Sequence, residues 1–114
     1  MASMSISTHR QIEMHPRLQT PLGFCVRTTE SYWKIITEVK HPIMKGREAD
    51  VQTTLSDPDE VRLSSSDPQV YLFYRVDGDN RWLCSVTRRS NGDGFLITAY
   101  RTGAIKEGKL IWHR

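Results

Sequence analysis

The second half of the chain constrains the fold most. From Glu60 onward, apolar-rich runs alternate with short polar turns: Glu60 to Ser64, Val70 to Val76, Trp82 to Thr87, Phe95 to Tyr100, and Leu110 to Trp112. These runs favour β-branched and aromatic residues, which suit a pleated surface. Asp77-Gly78-Asp79-Asn80 and Asn91-Gly92-Asp93-Gly94 separate three of them. Asn-Gly is the strongest hairpin signal of the chain, because a tight two-residue turn needs positive φ at both central positions. Short links between successive strands predict an antiparallel meander.

The first half reads differently. Residues 1–20 are polar, show no clean period and end at Thr20-Pro21, so they are expected to form a flexible leader. Gly23 to Thr28 is a short strand candidate. Thr28-Thr29-Glu30 marks a helix start with a hydroxyl cap and an early acid. Tyr32, Ile35, Ile36 and Val39 then fall on one helical face. His41 precedes Pro42, a position pushed out of the α region, so it is expected at the break before a second helix from about Arg47 to Leu55. Asp57-Pro58-Asp59 closes that helix. The expected fold is α+β: two short N-terminal helices packed on a four- to five-stranded antiparallel sheet, in a single domain over 21–114.

Composition narrows the function classes. Hydrophobic residues make up 38% and charged residues 25%, a globular balance. No apolar run approaches the ~20 residues of a membrane span, and the first residues lack the apolar stretch of a secretory signal. No membrane association and a cytoplasmic location are therefore expected. Cys25 and Cys84 sit in strand-like runs outside any CxxC pair, which fits two reduced thiols better than a metal site. No P-loop, GxGxxG, HExxH or GxSxG motif is present, and no cofactor is expected. The net charge of +3 leans weakly toward polyanionic partners.

Strand alternation sorts the meander into two faces. With Val61 and Leu63, Trp82, Cys84 and Val86, and Phe95, Ile97 and Ala99 set against the helices, the opposite face collects Arg62, Arg75, Ser85, Thr87, Thr98 and Tyr100. Such a set also decorates ordinary solvated sheets. The mixture of arginine, hydroxyl and tyrosine is nonetheless suited to phosphate and to an unstacked base.

The stretch from Phe24 to Trp112 resembles small bacterial proteins of the barnase–EndoU–colicin–RelE-like nuclease superfamily, especially short cyanobacterial and phage-associated members. His41-Pro42-Ile43-Met44, Asp57-Pro58-Asp59-Glu60-Val61-Arg62, Val70-Tyr71-Leu72-Phe73-Tyr74-Arg75 and Phe95-Leu96-Ile97-Thr98-Ala99-Tyr100, followed by Ile105-Lys106-Glu107-Gly108, carry the likeness. It implies a helical part before a four-stranded sheet, and metal-independent endoribonuclease activity. It also implies a place as the toxin of a toxin–antitoxin pair, with RNA and an antitoxin protein as partners. By position it implies His41, Arg62, Thr98 and Tyr100 as the catalytic set.

On that reading the RNA 2′-hydroxyl is the nucleophile. His41 exchanges protons, since an imidazole ordinarily titrates near ~6.5. Arg62 holds the nonbridging oxygens, Thr98 orients the phosphate, and Tyr100 carries the second proton or stacks a base. Arg75, Ser85, Thr87, Arg88 and Lys106 are the substrate-binding candidates. Two other readings remain open: a non-catalytic RNA-binding or regulatory module on the same fold, and a protein-interaction domain using exposed Tyr71 and Phe73.

Overall fold

The computed structural model describes residues 17–105 and 107–114. Strands β1 (Leu18–Gln19) and β2 (Cys25–Arg27) precede helix α1 (Glu30–Ile35), which widens into a π-helical turn over Ile36–Lys40. A 3₁₀ turn at Pro42–Met44 leads to α2 (Glu48–Ser56). The rest is strand: β3 (Glu60–Leu63), β4 (Val70–Val76), β5 (Trp82–Ser90), β6 (Asp93–Thr102) and β7 (Lys109–His113).

Local chemistry accounts for most of these boundaries. Thr29 caps α1, its hydroxyl accepting the Tyr32 amide at 3.2 Å. His41 stands at the break between the two turns with φ −143° and ψ 81°, as a residue before proline must. Asn91 and Gly92 both take positive φ, 55° and 89°, which closes the β5–β6 hairpin.

The sheet is larger than expected and mixed. Its order is β1-β2-β6-β5-β4-β3-β7. The meander β3 to β6 is antiparallel throughout, but β2 pairs in parallel with β6 through Val26–Gly94 and Arg27–Phe95. The expected four or five antiparallel strands therefore become seven among the described residues. β1 is too short to carry any alternation, and β2, which falls within the expected strand from Gly23 to Thr28, finds its parallel partner β6 far away in sequence. Residues 17–20 of the expected leader belong to this sheet edge; the first sixteen residues lie outside the described ones.

Two apolar clusters hold the molecule. The first lies under the helices: Trp33, Ile36, Met44, Val51 and Leu55 pack on Phe24, Val26, Val61, Phe73, Leu83, Leu96 and Ala99. The stripe expected for α1 is corrected by this packing. Trp33 and Ile36 turn inward, while Ile35 and Val39 are 43% and 75% exposed. The wide turn, closed by the His41 amide on the Ile36 carbonyl at 2.6 Å, advances the chain by a non-α step and rotates the face. The second cluster lies on the other side of the sheet: Leu72, Tyr74, Cys84 and Val86, flanked by Val70, Trp82, Ile97, Tyr100 and Ile105. The chain after β6, with Ile105 packed on this second cluster, crosses this face to reach β7, which adds to the far edge beside β3.

Candidate functional site

Strand register sets what shares a face. One cross-strand row joins Tyr74, Cys84 and Tyr100; the next joins Arg62, Leu72, Val86 and Thr98. Both rows lie on the side away from α2, so Arg62, Thr98 and Tyr100 share a face as expected. A bulge in β6, where Val86 faces Thr98 and Thr87 faces Leu96, turns Ile97 out of strict alternation.

The same register corrects three other placements. Ser85 pairs with Ala99 and Thr87 with Leu96, so both lie beneath the helices and are 0% exposed. Trp82, Cys84 and Val86 take the opposite side. The expected parity failed because β5 is apolar on both faces, and only the loop from Gly103 to Gly108 reveals that the second face is also covered. Arg75 also lies on the helix side, level with Leu83, and donates to the carbonyl and carboxylate of Asp57 at the end of α2. Tyr71 and Phe73 are not an exposed pair: Phe73 is fully buried, and both rings pack on Phe24.

The π and 3₁₀ turns bring His41 to the β6 side of this second face. β2 pairs with β6 only at Gly94 and Phe95, and the turns pack along the strand beyond. Lys40 pins them there, its Nζ donating to the Ile97 carbonyl at 3.1 Å and to the Tyr32 hydroxyl at 2.9 Å. The half-buried His41 ring then lies 5.6 Å from the Tyr100 ring, tilted by 42°. Alternation could not have placed His41, since its position depends on the width of one helical turn.

Tyr100 belongs to a polar group that sequence reasoning missed. Its phenol interacts with the Tyr74 phenol and the Cys84 thiol, and burial holds all three protonated. Burial, then the neighbouring Cys84, raises the Tyr100 phenol far above its ordinary value; the same two causes raise Tyr74. Burial pushes the Cys84 thiol up to about 12, so it is an inert thiol at neutral pH. Glu107, on the crossing loop, adds its charge to Tyr74 and Cys84 and accepts from the Ser64 hydroxyl at 3.4 Å. The Val70–Tyr74 run, apolar at successive positions, is the signal of a strand buried on both faces.

Thr98 keeps its hydroxyl buried and without a hydrogen-bond partner among the described residues. Arg62 stands apart. It lies three strands from Thr98, about 14 Å at ordinary strand spacing, and is held by the Glu60 carboxylate and the Gly108 carbonyl. One phosphate cannot touch both Arg62 and His41. Arg88 sits toward the hairpin end of the same face, bound by Asp67 and Gln69. Lys106 lies outside the described residues. The structure thus joins His41 to Tyr100, leaves Thr98 one row away, and uses Arg62 to tie down the crossing loop.

No helix among the described residues is long and apolar enough to cross a membrane. Compared with known proteins, the chain matches no family model, no curated protein and no solved structure.

Proposed function

We propose that single-stranded RNA binds along the β6 side of this sheet face, outside the part covered by the crossing loop, and that His41 and Tyr100 cleave it without a metal. The observation that carries this reading is the His41 ring set against the Tyr100 ring, 5.6 Å away, at the rim of that face. An imidazole can take the proton of the 2′-hydroxyl as its oxygen attacks phosphorus. A phenol that burial keeps protonated is a hydrogen-bond donor, and on this reading Tyr100 hydrogen-bonds the phosphate. The P–O5′ bond breaks, the 5′-oxygen takes the proton that His41 removed from the 2′-hydroxyl, and the other fragment keeps a 2′,3′-cyclic phosphate. Lys40, adjacent to His41, supplies the nearby positive charge expected of Arg62.

The test is incubation of purified protein with total RNA in EDTA, with fragment ends analysed for cyclic phosphate. His41→Ala and Tyr100→Phe are each expected to lose about 100-fold or more in rate. Undiminished cleavage by His41→Ala sinks the assignment. A second reading is RNA binding without cleavage, favoured by the carboxylates that already hold Arg62 and Arg88. It predicts retained RNA and no product at any protein concentration.

A further inference from the structure

A second feature of this side of the sheet lies at the hairpin end of β5 and β6. Arg27, Arg88, Ser90, Asp93, Phe95 and Ile97 line an open cavity of about 190 Å³, with the Gly94 backbone between them. Register explains the convergence. Arg88 pairs with Phe95 across the hairpin, Ser90 pairs with Asp93, and Arg27 pairs with Phe95 from the parallel strand β2. Three strands therefore bring Arg27, Arg88 and Phe95 to the wall of one cavity, with the Arg88 guanidinium held by Asp67 and Gln69. Tyr32 abuts that ring edge-on at 5.4 Å and 65°, and so fixes its plane.

We propose that this cavity is a subsite for one nucleotide unit of RNA, with its phosphate on Arg27 and Arg88 and its base on Phe95. Guanidinium groups match phosphate oxygens in bidentate geometry, and an aromatic side chain accepts any base by stacking. The cavity is smaller than the roughly 300 Å³ at which pockets for whole drug-sized ligands begin, so it suits one unit and not a larger cofactor. Asp67 on Arg88 and Asp93 in the wall hold the local charge down, with Arg17 beside Asp93 at 3.5 Å. A phosphate bound here meets attraction without a strongly basic surface that would trap any polyanion.

The subsite rests on the RNA reading but not on cleavage. From Phe95 to Tyr100 the strand runs about 16 Å, so the unit held here is not the one cut. The Lys40 ammonium meets that strand between the two, at the Ile97 carbonyl. The cavity therefore positions the chain of a bound strand for His41, or serves binding alone.

The experiment is an amide NMR titration of the full chain with uridine 5′-monophosphate, uridine, inorganic phosphate and a short oligouridine. Expected are shifts of Gly94, Phe95 and Ile97 amides with the nucleotide and the oligouridine, and weaker ones with uridine or phosphate alone. Phe95→Ala and Arg27→Gln should each weaken nucleotide binding about tenfold; Arg27→Gln avoids disturbing the Arg88 contacts with Asp67 and Gln69. Phosphate binding as tightly as the nucleotide, or nucleotide shifts confined to residues outside the cavity, overturns the proposal. Nucleotide binding here without any RNA cleavage leaves the subsite standing and removes only the catalytic reading. Cleavage that persists unchanged in both variants, with no shifts at Phe95, removes the subsite and leaves the catalytic reading.

Discussion

Asp77 accepts two bonds from Arg47, at 2.8 and 3.0 Å, and one from Arg101 at 2.7 Å. These guanidinium groups, Arg47 first, hold its carboxyl down at about 2. A carboxylate with a depressed folded pKa stabilises the fold above its ordinary value of 3.8, and loses that contribution as pH falls through about 2. The shift corresponds to about 2 kcal/mol at neutral pH. Asp77→Asn should therefore lower stability to urea by about that amount at pH 7. The gap between variant and wild type should close as pH falls from about 4 toward 2; a gap that stays constant would show that the contacts, and not the charge, matter. Thr87 offers the opposite case. Its hydroxyl is buried under the helices with no partner among the described residues, and an unmet buried polar group costs about 1–3 kcal/mol. Thr87→Val keeps the shape and should raise the unfolding free energy by about 1 kcal/mol, read as a higher urea midpoint. A lower midpoint would show that the hydroxyl is satisfied in solution.

At the scale of elements, legibility followed locality. The Thr29 cap, the His41 break, the Asn91-Gly92 turn and every strand of the meander could be read, because each is set by residues a few positions apart. What could not be read was decided at a distance. β2 finds β6 in parallel only because Gly94 has no side chain: a Cβ there would stand 2.7 Å from Thr87 Cγ2 and 2.9 Å from the Phe24 ring. The polar face was assigned half correctly. Arg62, Thr98 and Tyr100 were placed by β3 and β6, while Ser85 and Thr87 went astray because both faces of β5 are buried. The crossing loop that buries the second face is anchored at Gly108, with φ +88° and a would-be Cβ 2.6 Å from the Leu63 carbonyl oxygen. Gly108→Ala should thus cost at least about 2 kcal/mol, from left-handed strain and overpacking together. It should also lift Ile105 from the second cluster, so that Cys84 reacts with a thiol reagent in native buffer. Cys84 in the wild type should react only on unfolding. Equal labelling of the two proteins would show that the loop does not shield this face.

At the scale of the whole molecule, charge is spent mostly on architecture. Sixteen basic side chains face thirteen acidic ones, and ion pairs draw Arg47 and Arg101 to Asp77, Arg75 and Arg114 to Asp57, Arg62 to Glu60 and Arg88 to Asp67. A net charge of +3 leaves little long-range field. On the proposed RNA reading, affinity comes from a few local contacts along β6: Lys40 at Ile97, and Arg27 and Arg88 beside Phe95. Each phosphate neutralised on a single strand contributes about 0.7 to the slope of log affinity against log salt. Three such contacts predict a slope of about −2 for oligouridine, measured by fluorescence anisotropy between 50 and 200 mM salt. Lys40→Ala should flatten it by about 0.7. A slope near zero would point to a protein partner in place of RNA. One much steeper would mean that the strand follows a different, more basic path across the molecule than the one from the Phe95 cavity to His41.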